Sequence, residues 1–409
     1  MSAARGPRLL AALALASCVG VSACGKSASQ RQSPEGSFSK LAPVAQQGAV
    51  SLSTRNTTRL GGVDVAEDAA AVARTVYPGL TAETRPRAVV LASEADWTAA
   101  LAASVLASSP IGAPLLYSEG ETLPEVTRRT LEAVRPTGLS GLGGAQVIQV
   151  GTNATVGGLT VHAVPVGEPA ETAAAIERLL VAAAGGTSPH RVIVLAANAP
   201  RAMQMPAAGL AAQSGAPILF VTRSRVPIAT AGVLASLHRP SIYVVGAASV
   251  GARTLGDLRR FGPVATVSEG TPAGTDPASA NAIAVSRFTD GVFGWGVKQP
   301  GHGLAFANSS RPLDAPAAAP LSASGDYAPL LLLEAADQVP PALAAYLVDI
   351  QPGYTSAYQF GPARSAYNHG WLIGDEAAIS AVTQAELDSL LETTPRVPSA
   401  EEASVAQSE

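Results

Sequence analysis

The sequence predicts an α/β protein of three tandem Rossmann-like modules, and the first reason is one short phrase that occurs three times. It reads Ala113-Pro114-Leu115-Leu116-Tyr117-Ser118, Ala216-Pro217-Ile218-Leu219-Phe220-Val221-Thr222 and Ala328-Pro329-Leu330-Leu331-Leu332-Leu333-Glu334. A proline followed by an apolar run suits a strand buried on both faces, because proline is tolerated at a strand's first residue. The copies lie 103 and 112 residues apart, a domain-sized interval rather than a solenoid repeat. The second reason is that strand-like and helix-like segments recur in the same order around each copy. Such alternation implies parallel sheets covered on both faces.

The first module opens near Arg59-Leu60-Gly61-Gly62. Ala66, Ala69, Ala70, Ala73 and Val76 then fall at helical spacing, and Pro78-Gly79 stops the helix. Ala88–Ala92 reads as a strand, Asp96–Leu106 as an alanine-rich helix, and the Pro114 strand follows. Leu123-Pro124-Glu125 opens a further helix with proline in its first turn, and Ala145–Gly151 is a third strand. Module two repeats this order with Glu171–Ala184, Arg191–Ala196, Met205–Gln213, the Pro217 strand, Ile228–Leu237 and Ser241–Gly246. Module three gives Ala278–Phe288, Gly303–Ala307, Ala315–Leu321, the Pro329 strand, Pro341–Asp349, Gly370–Gly374 and Thr383–Leu391. A stretch rich in Tyr, Gly and Pro, about 351–368, has no counterpart in the other modules and reads as an insertion.

The ends differ in character from this core. Residues 1–23 read as an export signal, with Arg5 and Arg8 ahead of an apolar run too short to span a bilayer comfortably. Val21-Ser22-Ala23-Cys24 resembles the bacterial lipobox, which implies a lipid anchor on Cys24; Cys18 is the alternative acceptor, and an ordinary cleaved signal the other reading. Residues 24–49 read as a flexible tether, 50–158, 159–262 and 263–392 as the three modules, and 393–409 as a disordered tail. Cys18 and Cys24 are the chain's only cysteines, so the modules hold neither disulfide nor thiolate chemistry. The net charge of −4 shows no basic excess, which argues against nucleic acid as a partner.

The opening Arg59-Leu60-Gly61-Gly62, the Val89-Val90-Leu91-Ala92-Ser93 strand, the alanine-rich helix, the Ala-Pro-Leu-Leu phrase, Leu123-Pro124 and a closing strand ending in Gly151 resemble the cell wall binding repeat 2 family. The resemblance covers about 59–392. It implies three Rossmann-like modules in a pseudo-threefold ring that bind an anionic polymer of the bacterial cell wall. This chain departs from the family opening Gly-x-Asp-Arg-Tyr-x-Thr-Ala, keeping Asp64 and lacking the Arg, Tyr and Thr. The aspartate that opens the second helix in the family matches Asp314; Asp96 lies near that place in module one, and Gln204-Met205 stands there in module two.

Ligands of open α/β sheets bind along the edge where the strands end. That rule nominates Ser93 and Asp96 in module one, Asn198, Arg201, Thr222, Arg223 and Arg225 in module two, and Asn308, Ser309, Arg311 and Asp314 in module three. For an anionic polymer the arginines carry most weight, since a guanidinium presents a planar fork of donors to phosphate or carboxylate. The same residue types also cap helices, which is the competing structural explanation. Ala247-Ala248-Ser249-Val250-Gly251 echoes a nucleophile elbow without its first glycine, and the sequence offers Ser249 no histidine partner. The histidines are scattered in metal-incompatible spacing. The sequence therefore predicts a non-catalytic surface lipoprotein without cofactor or metal, binding a cell-wall anionic polymer, attached to the membrane through Cys24 and open to a protein partner. The alternative is a solute-binding lipoprotein that captures a soluble ligand for a transporter.

Overall fold

The computed structural model describes residues 50–267, 276–323, 327–354 and 366–395. The export signal, Cys18, Cys24, the tether, most of the insertion and nearly all of the tail lie outside them. Three parallel sheets form the frame. The first contains β3 (Val89–Ser93), β4 (Leu115–Ser118), β5 (Val147–Val150) and β6 (Val161–Val164), in the order β4-β3-β5-β6. The second holds β7 (Arg191–Ala196), β8 (Ile218–Val221), β9 (Ser241–Val245) and β10 (Val264–Val267), in the matching order β8-β7-β9-β10. The third places β12 (Leu330–Leu333), β11 (Gly303–Asn308) and β14 (His369–Ile373) in the same sequence, then adds β2 (Thr57–Gly61) and, antiparallel to it, β1 (Val50–Ser53).

The fourth strand of each sheet opens a different repeat. β6 leads into α4 (Pro169–Ala183) of the second repeat, and β10 precedes α9 (Pro277–Arg287) of the third. β2, which leads into α1 (Val65–Val76), completes the third sheet. The beginning of the described chain is thus hydrogen-bonded to its end, and the connectivity is cyclic.

The proline phrases form edge strands. In each case the strand begins one residue after the proline, whose carbonyl still accepts from the neighbour: Val90 N–H to Pro114, Ile193 to Pro217 and Ala305 to Pro329, all at 2.9 Å. An edge position needs no N–H from proline. Every residue of β4, β8 and β12 is nevertheless buried, because α1, α4 and α9 pack across these edges.

The alanine content has a packing cause. α2 (Trp97–Ala103) with the 3-10 turn Ser104–Ala107, α6 (Pro206–Ser214) and α10 (Asp314–Ala323) occupy equivalent places between the first two strands of their repeats. They meet at a cluster of Ala107, Ala212 and Ala319. A Cβ on Gly209 would sit 2.5 Å from Ser322 Oγ, so only small residues permit this approach. From Asp314 through Ser322 every residue of α10 is buried, as expected of a helix enclosed on all sides. Among the described residues no helix is long and apolar enough to cross a membrane. Thr394–Pro395, at the start of the segment read as a tail, pairs with Gly353–Tyr354.

Candidate functional site

The strand-end residues fall into two groups. Ser93 is 4% exposed, and its Oγ accepts from the Ala95 N–H at 3.2 Å. Asp96 caps α2, accepting from Ala99 N–H and Thr98 Oγ1 at 3.0 Å each. Asn308 is buried, donating to the Ala378 carbonyl and accepting from Ser310. The Ser309 N–H donates to the Leu333 carbonyl at 2.8 Å. These groups make hydrogen bonds within the local fold; Ser93 and Asn308 are buried, and Asp96 is half-buried at the start of α2.

Arg311 and Asp314 are also committed internally, to a partner that was not among the expected site residues. Arg311 Nε donates to Asp314 Oδ2 at 2.9 Å, and its Nη2 pairs with Asp68 on α1. Asp68 and Asp314 are 0% and 1% exposed. Asp68 Oδ1 also accepts from the Gly62 N–H at 2.8 Å, whereas Asp314 Oδ1 is buried without a hydrogen-bond partner. Gly61 admits the pair: a Cβ there would lie 2.2 Å from Asp68 Oδ1. Two carboxylates and one guanidinium therefore form a buried latch between the first and third repeats.

Burial, reinforced by Asp314, pushes the Asp68 carboxyl up to about 8 against the opposing pull of Arg311. Burial also raises Asp314, though Arg311 draws it back. Between the ordinary aspartate value of 3.8 and about 8, the folded latch holds a proton that the unfolded chain has released. Its contribution to stability consequently falls as pH rises across that window. Thermal unfolding midpoints should show a downward slope from about pH 4 to about pH 8 that Asp68→Asn flattens.

The second group is exposed. Asn198 and Arg201 follow β7, and Thr222, Arg223 and Arg225 follow β8. Thr222 and Arg225 close a tight turn: Thr222 N–H donates to the Arg225 carbonyl at 3.0 Å, and Arg225 N–H to Thr222 Oγ1 at 3.1 Å. The Arg223 carbonyl accepts from Gly251 N–H and Thr254 Oγ1, both at 2.9 Å, which fixes the turn against α8 (Ala252–Leu258). Its guanidinium reaches the Ala248 carbonyl at 3.3 Å, beside Ser249. Gly246 lies against Met203 of α5 (Arg201–Gln204), and Arg201 on α5 and Arg253 on α8 are exposed, as are Arg223 and Arg225 on the turn.

Short turns occupy the same place in the other repeats. Glu119 and Thr122 close one after β4, and Ala335 and Gln338 one after β12. Measured from the proline two residues beyond each turn, Arg223, Ser224 and Arg225 correspond to Gly120, Glu121 and Thr122 and to Ala336, Asp337 and Gln338. The first edge is acidic throughout: burial, with Asp64 and Glu119 nearby, raises the Glu94 carboxyl. The third carries Glu334, Asp337, Asp375 and Glu376. Among the described loops only the second repeat presents arginines there for which no ion pair is formed.

A cleft of about 430 Å³ adjoins the second turn, with Thr222, Arg225, Val226, Pro227 and Ile228 on one wall and Glu168 and Glu171 on the other. Glu171 Oε2 accepts from the Glu168 N–H at 3.2 Å, capping α4. The corresponding cleft of the first repeat, about 250 Å³, lies between Asp64 and Glu67 of the α1 start and Glu125 of α3 (Glu125–Val134). Its Arg129 is held by Glu125 at 2.6 Å.

The chain is similar to Cwp6 from Clostridium difficile. The two folds superpose with a TM-score of 0.64 at 18% identity, over 85% of this chain and 52% of the other. Cwp8 from Clostridium difficile gives 0.60 at 17%, over 86% and 52%. The chain thus spans about half the length of these structures, and the likeness is one of fold. No family model and no curated protein matches it.

Sequence reasoning located the exposed arginines and missed Asp68. A buried acid inside Ala66–Ala73 was the available signal, since an aspartate on the packed face of a helix requires a cation or a proton.

Proposed function

We propose that this protein is a cell-wall-associated, non-catalytic binding protein whose ligand is an anionic wall glycopolymer. The observation that carries this reading is the second repeat's edge, where Arg223 and Arg225 stand exposed on the turn after β8 and Arg201 and Arg253 are exposed in the first turns of α5 and α8. Guanidinium groups at a sheet's C-terminal edge suit phosphate or carboxylate along an extended chain. The fold's likeness to the cell wall proteins Cwp6 and Cwp8 supports the same compartment. The lipobox-like Val21-Ser22-Ala23-Cys24 supports attachment of the protein's other end to the membrane, with the lipid on Cys24. Three comparable sheets, rather than two lobes about a hinge, favour this reading over a solute-binding lipoprotein.

Guanidinium–anion contacts at an exposed edge are screened by salt. Co-sedimentation of the detergent-solubilised full chain with purified cell walls should therefore weaken steadily from about 0.05 M to about 0.5 M salt. Retention independent of salt would contradict an arginine-mediated contact.

A further inference from the structure

Each repeat places a short turn after its proline strand, but only the second arms that turn with cations. At the two positions flanking its central residue, repeats one and three carry Gly120 and Thr122, and Ala336 and Gln338; repeat two carries Arg223 and Arg225. The central residue is Glu121 or Asp337 in the outer repeats and Ser224 in the middle one. Each difference moves the local potential in the same direction. An anion approaching the first or third turn meets a carboxylate, whereas at the second it meets two guanidinium groups.

The adjoining cleft adds the means to recognise a sugar. Arg225 stands on one wall with Thr222; Glu168 and Glu171 line the opposite wall. Ile228, 92% exposed, and Pro227 give that opening an apolar lip. The first repeat has Glu125 at the position of Ile228, and its smaller cleft combines Asp64, Glu67 and Glu125 with arginines of which Arg129 is already paired.

We infer that the described residues hold a single anionic-sugar subsite, formed by the Thr222–Arg225 turn and the cleft beneath it, and that the corresponding turns of the outer two repeats do not bind the polymer's charged groups. This rests on the anionic-polymer reading above and narrows it to one repeat. The charged group, phosphodiester or carboxylate, lies against Arg225, the arginine that lines the cleft, while Arg223, turned toward the Ala248 carbonyl, adds to the positive potential of the turn. Sugar hydroxyls donate to the carboxylates of Glu168 and Glu171, and a sugar's C–H face lies on Ile228 and Pro227.

The test is calorimetric titration of the detergent-solubilised full chain with two soluble probes of matched length, a poly(glycerol phosphate) oligomer and an oligogalacturonate. One site per chain is expected. The tighter probe identifies whether phosphate or carboxylate is the recognised anion. Arg225→Glu, at an exposed side chain, should weaken that probe roughly tenfold or more with an unchanged melting temperature, and Arg223→Glu should do the same. The double variant Glu121→Ser, Thr122→Arg, which removes a carboxylate and adds a cation at the first turn while keeping Gly120 at its φ of +58°, should raise the stoichiometry toward two. Three sites per wild-type chain, or undiminished binding by folded Arg225→Glu, would overturn the single-subsite inference while leaving polymer binding intact. Absence of binding by the wild-type chain to both probes and to cell walls would overturn both readings.

Discussion

Replacing Arg59 with methionine should destabilise the folded unit by about 3–5 kcal/mol, read as a lowered midpoint in chemical unfolding. Arg59 is 4% exposed on β2, and each of its five guanidinium N–H groups has an acceptor. Nη1 donates to the carbonyls of Gly374 and Asp375 at 3.0 and 2.7 Å, and Nη2 to that of Ile379 at 2.7 Å. Nε and Nη2 share Gln384 Oε1 at 3.2 and 2.9 Å. These acceptors all belong to the segment that follows β14, so one side chain fastens the first repeat's opening strand to the third repeat's closing segment. Methionine fills similar volume but leaves buried carbonyls without donors. Lysine should rescue only part of the loss, because three donors on a point charge cannot reproduce the planar fork. A methionine variant as stable as the wild type would show that cyclic closure does not depend on this clamp.

Arg311→Met should cost a similar amount, about 3–5 kcal/mol, with a pH dependence that Arg59→Met lacks. The substitution leaves Asp68 and Asp314 facing each other in the interior without their shared cation. Two buried carboxylates cannot both ionise, so the variant must bind protons more tightly than the wild type does. Its stability should therefore drop more steeply as pH rises above the ordinary carboxylate range, and be closest to wild type under acid conditions. Adding Asp68→Asn to Arg311→Met should recover part of the loss, because the amide removes the repulsion. If the double variant were no more stable than Arg311→Met, the latch would not act through charge.

Both clamps bear on what the amino-acid sequence made legible. The Pro114, Pro217 and Pro329 strands, their first-strand neighbours and the helices between them stand out because each is uniformly apolar or alanine-rich over a whole element. β2 escaped because Thr57-Thr58-Arg59-Leu60-Gly61 has the polarity of a loop and becomes a buried strand only through pairing with β14. Arg59 could be quoted as part of a family phrase, but its acceptors lie more than 300 residues away. Asp68 and Arg311 are separated by 243 residues, so Asp314, three residues on, is the one local feature that distinguishes Arg311 from the exposed Arg223 and Arg225. All three follow a strand, which is as far as pattern reaches. The separation into latch and binding edge depends on α1 packing against α10, a tertiary fact.

The same reasoning explains why the charge inversion among the three turns was hidden. The segments from the Pro strands to the next helix share little beyond the proline two residues past each turn, and it is the place of the turns in the fold that makes this proline a register. In that register the second repeat is the one that carries two arginines.

The most direct test of the account is co-sedimentation of the detergent-solubilised full chain with purified cell walls, before and after acid or hydrofluoric extraction of their glycopolymers. The account predicts retention on intact walls and its loss after extraction. Equal retention on extracted walls, or none on intact walls by a chain that unfolds cooperatively, would contradict it.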